Sequence, residues 1–368
     1  MFDIPTPALL LDRPTLERNI AYLKTRLDGL GVQLRPHMKT AKSVNVLRLV
    51  AAEAITVSTL AEAEAFAAAG VTDILYAVGL APAKLPRVRA LRAQGVDLSV
   101  IVDNLAAAQA IAAGDGPPVP VLIEIDADGH RAGVAPDDAE TLTAIGQALT
   151  GGAELRGVMT HGGGSYDEPG EAARVAAAEQ ERAGVVRAAE ILRAAGLPCP
   201  IVSVGSTPTA YAARDLTGVT EVRAGVYMFG DLVQAGLGVI DVEEIALSLL
   251  ASVIGHQREK GWILVDAGWT ALSRDRGTAS QKVDQGYGLV CATDGTPWPG
   301  VIVESVNQEH GIIALRAGSG ATLPDLAVGE QVRILPNHAC ATATQHDRYY
   351  VLGADGGLEA VWPRFGGW

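Results

Sequence analysis

The sequence predicts a two-part α/β protein, a parallel (β/α)8 barrel of the TIM type followed by an all-β domain. Between residues 32 and 229, apolar β-rich runs alternate with alanine-rich amphipathic segments. About eight strand–helix units can be counted, which is the number that closes a parallel barrel. After about Val239 the helical periodicity gives way to short β-rich runs bounded by turns. The chain of 368 residues is long enough for both parts.

The first elements lead into the barrel. A short strand near Ala8–Leu11 precedes a helix that Asp12 caps and that runs to about Gly29. The barrel strands are predicted at Val32–Pro36, Ile55–Thr59, Ile74–Val78, Leu98–Asp103, Val119–Asp126, Leu155–His161, Ile201–Gly205 and Val219–Phe229. The helices that follow them are predicted near Ser43 and at Leu60–Ala69, Ala83–Gln94, Leu105–Ala113, Ala139–Thr150 and Gly170–Ala195. An open doubly wound sheet is the alternative, but it rarely holds eight consecutive strands.

The second domain is predicted to contain little helix. Its strands are expected at Ile245–Ile254, Trp262–Val265, Gly288–Val290, Val301–Val303, Ile312–Leu315, Gln331–Leu335 and Tyr349–Leu352. We place the barrel at residues 12–238 and the β domain at residues 1–11 and 239–368, with the first strand returning to the β domain.

Composition excludes several classes of partner. The net charge of -13 argues against binding to nucleic acid or to an anionic membrane. No apolar run approaches the roughly 20 residues needed to cross a bilayer, and the first five residues lack the basic start of a secretory signal. We therefore expect small-molecule chemistry in the cytoplasm. Cys199, Cys291 and Cys340 are too scattered for a disulfide framework, and the first two are expected to be ordinary buried cysteines.

Polar residues follow the barrel strands where such enzymes keep their chemistry. Lys39 ends the run Arg35-Pro36-His37-Met38-Lys39 after the first barrel strand. It is either a solvated surface charge or the covalent anchor of an aldehyde cofactor. Further residues are expected at the same mouth, namely Thr59, Asp103, Arg131, His161, and Arg223 to Tyr227. Arg131 could instead form an ion pair at the rim, and His161, which opens the glycine-rich loop ending at Tyr166, could be merely packed or solvated.

The run Gly205-Ser206-Thr207-Pro208-Thr209 turns from a strand into a helix. Its backbone N–H groups and hydroxyls suit a phosphate. A plain capping turn explains the same residues equally well.

A pair of metal-binding residue types lies in the β domain. His338 and Cys340 are two apart, so on an extended segment both side chains point to one side and can hold one ion. Thiolate with imidazole favours zinc, and two protein ligands leave positions open for water or substrate. The alternative is a buried cysteine beside an exposed histidine. His310 and His346 are nearby candidates for the same pocket or for ordinary loop positions.

These motifs together resemble the fold-type III pyridoxal-phosphate enzymes, which are built like alanine racemase. Within them, the chain is similar to the metal-activated branch of D-serine dehydratase, D-threo-3-hydroxyaspartate dehydratase and D-threonine aldolase. The resemblance extends from Thr6-Pro7 to the closing Phe365-Gly366-Gly367-Trp368. Its most specific marks are the motifs Arg35–Thr40, Gly129–Val134, Thr160-His161, Val204–Thr209, Glu221–Tyr227 and Pro336–Cys340.

The resemblance implies a role for each of these residues. Lys39 corresponds to the Schiff-base lysine, which is also the catalytic base. The expected cofactor-binding residues are Arg131 at the phenolic oxygen, His161 against the ring, Gly205, Ser206, Thr207, Gly225 and Val226 at the phosphate, and Tyr166 and Tyr227 nearby. Arg223 matches the racemase arginine that faces the pyridine nitrogen, although the metal-dependent relatives differ there. His338 and Cys340 correspond to the ligands of a divalent metal, zinc or alternatively manganese, and a homodimer is expected.

Two reactions fit this resemblance. The first is dehydration and deamination of a D-β-hydroxy-α-amino acid, such as 3-hydroxy-D-aspartate or D-serine, to a keto acid and ammonia. The second is retro-aldol cleavage of D-threonine-type substrates to glycine and an aldehyde. The His-x-Cys pattern favours the dehydratase, since a known aldolase pattern has histidine and aspartate. A metal-free racemase of the alanine type is a further alternative, which would use a second base from the partner subunit and keep its activity in a chelator. A non-catalytic cofactor carrier would normally lack the β domain and the His-x-Cys pair, and both are present here.

Overall fold

The elements of secondary structure follow the alternation predicted from the sequence. The computed structural model describes residues 2–167 and 170–368. The strands are β1 (Ala8–Asp12), β2 (Gln33–Pro36), β3 (Ala54–Val57), β4 (Asp73–Gly79), β5 (Asp97–Val102), β6 (Val119–Ile125), β7 (Ala153–Thr160), β8 (Ile201–Val204), β9 (Glu221–Ala224), β10 (Leu247–Gln257), β11 (Trp262–Val265), β12 (Leu289–Cys291), β13 (Pro297–Val306), β14 (Gly311–Leu315), β15 (Gln331–Leu335), β16 (Arg348–Leu352) and β17 (Leu358–Pro363). The helices are α1 (Arg13–Gly29), α2 (Val44–Val50), α3 (Leu60–Ala68), α4 (Leu85–Ala93), α5 (Leu105–Ala112), α6 (Ala139–Ala148), α7 (Glu171–Ala194), α8 (Thr207–Ala212), α9 (Leu232–Gly236), α10 (Trp269–Leu272) and α11 (Ala339–Ala343).

Strands β2 to β9 form the predicted parallel barrel, which is confirmed. Their order in the sheet is β2-β9-β8-β7-β6-β5-β4-β3. The two ends of this order meet at a parallel bridge between His37 and Thr56, where the Met38 N–H donates to the Thr56 carbonyl at 2.8 Å. All seven residues of β6 are buried, because barrel strands are covered on both faces.

The eighth barrel strand is shorter than predicted. The expected strand Val219–Phe229 is found only as Glu221–Ala224, and a 3-10 helix at Val226–Met228 follows it. All of residues 221–230 are buried. A fully buried turn has the same apolar composition as a buried strand, so composition alone could not place the boundary.

A buried ion cluster lies at the end of the barrel where the strands begin. Arg35 is 8% exposed. It donates to Glu221 Oε2 at 2.8 Å and to both carboxylate oxygens of Asp73 at 2.8 and 3.2 Å. Asp73 and Glu221 are the first residues of β4 and β9, whereas Lys39 follows the last residue of β2. Arg35 therefore stabilises the end of the barrel opposite to the candidate site.

The remaining strands form an antiparallel-rich sheet, as predicted for the β domain. Their order is β11-β14-β13-β12-β15-β10-β1-β16-β17. Strand β1 pairs antiparallel with β10 and parallel with β16. The last strand, β17, is not among the predicted ones, and all six of its residues are exposed or half-buried.

The chain divides into two compact units. The barrel unit comprises Ala21–Gly225 and Phe365–Trp368, and the β unit comprises residues up to Ile20 together with Val226–Arg364. Within the described ranges, no helix combines the length and the apolar character needed to span a bilayer.

Candidate cofactor and metal sites

Lys39 lies in the loop that leaves β2, with its side chain exposed. The loop is held by its neighbours. The Lys39 backbone N–H points to His37 Nδ1 at 3.4 Å, and the Lys42 ammonium lies 3.4 Å from the buried carboxylate of Glu62. Thr59, which was expected at the mouth, caps α3 by accepting the Glu62 N–H at 3.1 Å. Lys39 is therefore exposed in a loop whose backbone is held by contacts to neighbouring residues.

His37 was not singled out from the sequence. Loss of hydration lowers its pKa well below the ordinary value, and the charges of Lys39, Arg223 and His161 lower it further. An imidazole in this position is neutral at physiological pH. His37 could have been noticed because it lies two residues before Lys39. Its position in the sequence alone, however, does not predict the burial or the charge state of its side chain.

Arg223 is buried inside the barrel. Its Nη1 donates to Ser203 Oγ and its Nη2 donates to the Thr160 carbonyl. Burial lowers its pKa, and the charge of Glu221 opposes this effect. Two of its donors are thus engaged by the protein, and its predicted contact with the pyridine nitrogen stays a prediction.

Arg131 lies at the rim of the barrel and is 62% exposed. Its Nη2 is 3.6 Å from Glu124 Oε1, which matches the ion pair left open by the sequence. Burial raises the pKa of Glu124, and the charge of Arg131 offsets the rise only in part. More than half of the side chain is therefore exposed and accessible to a ligand.

His161 follows β7 and is half-buried. Its Nδ1 lies 2.9 Å from the Gly205 carbonyl oxygen. Burial lowers its pKa to about 4, with the charges of Lys39 and Arg223 acting in the same direction. Tyr166 ends the 3-10 helix of the same loop and is also half-buried.

The loop after β8 contains both a capping motif and an unsatisfied hydroxyl. Ser206 and Thr209 form a capping box, so the capping interpretation is confirmed. Thr207 Oγ1 is nevertheless buried without a hydrogen-bond partner among the described residues. Gly205 has φ +145, and a Cβ there would lie 1.9 Å from the Arg223 carbonyl oxygen. The close approach of the Arg223 carbonyl explains why position 205 is a glycine, whereas the orphaned hydroxyl of Thr207 fits a polar ligand such as a phosphate.

The other residues expected at the phosphate are buried. Gly225 packs against His37, since an added Cβ would lie 2.8 Å from its carbonyl oxygen. Val226 and Tyr227 belong to the 3-10 helix that follows β9.

In the β unit, the side chains of His338 and Cys340 are in contact. Burial lowers the pKa of His338, but hydrogen bonds to Asp275 and Cys340 raise it to about 11. His338 Nδ1 lies 2.9 Å from Asp275 Oδ2. The chemistry of this donor set, a thiol and an imidazole whose other nitrogen is bound by a carboxylate, fits a divalent metal ion.

The predicted extended conformation of this pair is wrong. His338 has extended dihedral angles, but Cys340 lies in the first turn of α11. The turn arises because Asp231 accepts the Ala339 N–H at 3.0 Å and so begins the helix. The side chains meet through a strand-to-helix turn and not through the two-residue period of a strand.

The described residues offer no larger cluster of metal-binding side chains. Across residues 2–167 and 170–368, no group of three or more His, Cys, Asp and Glu residues is arranged to hold an ion. His310 is exposed on a loop, and His346 Nε2 lies 3.0 Å from the Ala271 carbonyl oxygen. An ion at this pair would keep open positions.

Comparison with known proteins places the chain among named enzymes. The family model described as "Alanine racemase, N-terminal domain" matches residues 11–233, and the "Putative serine dehydratase domain" matches residues 246–352. The chain is 56% identical to the D-threo-3-hydroxyaspartate dehydratase of Delftia sp. (strain HT23), over 100% of this chain and 99% of that protein. It is 30% identical to the 3-hydroxy-D-aspartate aldolase of Paracoccus denitrificans (strain Pd 1222), over 98% and 92% of the two chains.

A solved structure agrees with this placement. A cysteine-to-alanine variant of a D-threo-3-hydroxyaspartate dehydratase in its metal-free form matches with a TM-score of 0.96 and 55% identity, over 100% of this chain and 99% of that chain. The chain therefore belongs to the alanine racemase N-terminal domain family, and within it to the group of D-hydroxyamino acid dehydratases and aldolases.

Proposed function

We propose that this protein is a lyase that depends on pyridoxal phosphate and a divalent metal ion. Its reaction is the dehydration and deamination of a D-β-hydroxy-α-amino acid: water is eliminated, and hydrolysis of the resulting enamine takes up one water and releases ammonia and a keto acid. D-threo-3-hydroxyaspartate is the first candidate substrate and D-serine the second. The 56% identity to a dehydratase of that substrate, over the whole chain, supports this choice. The observation that carries the proposal is the contact between the His338 imidazole and the Cys340 thiol beside Asp275.

The proposal assigns residues to each group. Lys39 Nζ would hold the cofactor aldehyde, and the cofactor phosphate would lie at Gly205, Ser206, Thr207, Gly225 and Val226. His338 and Cys340 would hold the metal, which is zinc by ligand type, with manganese as the alternative. When bound, these groups supply an electron sink for the bonds at Cα and a Lewis acid for the β-hydroxyl.

The residues of the chain move the protons. Lys39 is exposed in the barrel mouth, so its Nζ can reach a substrate and accept the proton from Cα. His161 is uncharged at neutral pH because burial lowers its pKa to about 4. A neutral imidazole can pack against an aromatic ring without adding charge, which fits its predicted place beside the cofactor.

Product analysis tests this function. The purified protein, loaded with pyridoxal phosphate and zinc, is incubated separately with D-threo-3-hydroxyaspartate, D-serine and D-threonine. We expect ammonia and a keto acid in equal amounts, and we expect a chelator to stop the reaction. A protein that interconverts D and L isomers in the presence of the chelator would be a racemase, which contradicts the proposal.

Retro-aldol cleavage is the second candidate function. The 3-hydroxy-D-aspartate aldolase relative, 30% identical over 98% of this chain, favours it. A metal ion held by the same donor atoms would lower the pKa of a substrate hydroxyl, which promotes opening of the Cα–Cβ bond. Glycine formed without ammonia in the incubation above would select the aldolase and reject the dehydratase.

Two further expectations accompany the proposal. The resemblance to this branch of enzymes implies a homodimer, which light scattering of the purified protein can test. The net charge of -13 fits a cytoplasmic enzyme that acts on small molecules.

A further inference from the structure

Helix α7 carries a carboxylate that the mechanism above does not use. Glu181 lies in the middle of this helix and is 3% exposed. Burial raises its pKa, and hydrogen bonds to Thr209, Gly205 and Gly162 oppose the rise. The charge of Arg223 also opposes the rise. Burial of an acid is costly unless its polar contacts compensate for the lost hydration, so the contacts of Glu181 indicate what it does.

One oxygen of Glu181 joins two loops of the barrel mouth. Oε1 accepts the backbone N–H of Gly162 at 2.7 Å and the backbone N–H of Gly205 at 2.9 Å. Gly162 follows His161, and Gly205 precedes Ser206 and Thr207. The two loops come from different strands, β7 and β8, and the carboxylate sets the distance between them.

The packing around this oxygen leaves little freedom. A Cβ added to Gly162 would lie 3.1 Å from Glu181 Oε1 and 3.2 Å from Thr209 Cγ2. The Ser165 and Ser206 hydroxyls, one from each loop, are 2.9 Å apart. Without Glu181, two buried N–H groups would lose their acceptor, and the loops would shift to find another.

We propose that Glu181 is a positioning residue that fixes the spacing between His161 and Thr207 for the cofactor. This inference rests on the proposed function, in which His161 lies against the cofactor ring and Thr207 binds its phosphate. Ring and phosphate are covalently joined in pyridoxal phosphate, so their binding loops must keep one separation. Pyridoxal lacks the phosphate and does not require that separation.

The difference between the two aldehydes gives the test. The apoprotein is titrated with pyridoxal phosphate and with pyridoxal, and the visible absorbance of the lysine adduct reports each dissociation constant. In Glu181→Ala, we expect the constant for pyridoxal phosphate to rise on the order of tenfold to hundredfold, since two buried hydrogen bonds are lost. The constant for pyridoxal should change by less than about threefold.

Two further variants test the geometry. Glu181→Gln keeps an oxygen that can accept both N–H groups and should retain the wild-type ratio of the two constants. Glu181→Asp is one methylene shorter, so its carboxylate cannot reach both amides, and the constant for pyridoxal phosphate should rise relative to that for pyridoxal, as in the alanine variant. The glutamine and aspartate variants decide the question if the alanine variant does not fold.

Val185→Ala is the matched control, because Val185 is buried one turn further along α7. It should lower the melting temperature and leave the ratio of the constants unchanged. If Glu181→Ala weakens the binding of both aldehydes equally, or leaves the constant for pyridoxal phosphate unchanged, this inference is overturned and the proposed function still stands. A wild-type protein that binds neither aldehyde would reject the proposed function and this inference with it.

Discussion

His338 and Asp275 form a pair in which Nδ1 of the ring lies 2.9 Å from Oδ2 of the carboxylate. The carboxylate is fixed from its other side, because Oδ1 accepts the Gly277 N–H at 2.7 Å. The Asp275 backbone carbonyl also accepts from Asn337 Nδ2 at 3.1 Å. With Nδ1 engaged, Nε2 is the ring nitrogen left for a ligand. Carboxylates placed in this way orient metal-binding histidines and raise their basicity.

Substitution of Asp275 by Asn should weaken metal binding. The amide can still accept a hydrogen bond but lacks the negative charge, so we expect the metal dissociation constant to rise on the order of tenfold to hundredfold. Competition with a chromophoric chelator measures this constant without substrate. Asp284→Asn is the matched control, since Asp284 lies on the same loop and pairs with Arg276 at 2.6 Å. Unchanged metal affinity in Asp275→Asn would contradict the assignment.

Substitution of Cys340 by Ala should abolish turnover and leave the visible absorbance of the bound cofactor in place. The sulfur would be lost as a metal ligand, whereas Lys39 would still hold the cofactor. Cys291→Ala makes the same change at a buried cysteine of the same unit and should keep turnover. Loss of the cofactor absorbance in Cys340→Ala would mean that Cys340 has a structural role.

The three cysteines should differ in their reaction with iodoacetamide. Burial raises the pKa of Cys199 to about 11 and that of Cys291 to about 12, so both stay protonated and shielded. Cys340 is only partly buried and should be modified first. Peptide mass spectrometry measures the extent of modification at each cysteine. Added zinc should protect Cys340 from modification if it is a metal ligand. Equal labelling with and without zinc would count against the metal site.

The sequence predicted the barrel well because its strands and helices differ in periodicity. The apolar run near Val119 and the alanine-rich segment at Ala139 lie within two residues of the observed elements. The end of the last barrel strand was not predictable in this way. Beyond Ala224 the chain stays buried while it leaves the sheet, and composition does not distinguish these two states.

The supporting residues of both candidate sites were missed for a different reason. Glu181 lies in a helix rich in alanine and charged residues, where a glutamate is normally solvated, and its burial depends on loops far away in the sequence. Asp275 lies 63 positions before His338, between two arginines that suggest an exposed loop. Sequence patterns report local periodicity, whereas these contacts depend on tertiary structure.

Substitution of Arg35 by Ala should lower the free energy of unfolding by about 3–5 kcal/mol. The change leaves Glu221, whose side chain is 11% exposed, as a buried charge without its cation. Urea denaturation measures the effect. Lys24→Ala is the control, because its pair with Asp28 is exposed and contributes less than about 1 kcal/mol. Equal effects of the two substitutions would show that the Arg35 cluster does not stabilise the barrel.

The low pKa of His161 should make the apoprotein less stable in acid. Burial lowers this pKa to about 4, whereas the unfolded chain titrates near 6.5. Between these values the unfolded state binds a proton that the folded state does not, so the stability present above about pH 6.5 is lost as the pH falls toward 4. His161→Gln removes this titration. The stability difference between wild type and variant should therefore shrink by up to about 3 kcal/mol between about pH 7 and pH 4, as measured by urea denaturation. Parallel curves for the two proteins would mean that His161 titrates alike in both states and is hydrated in the folded protein.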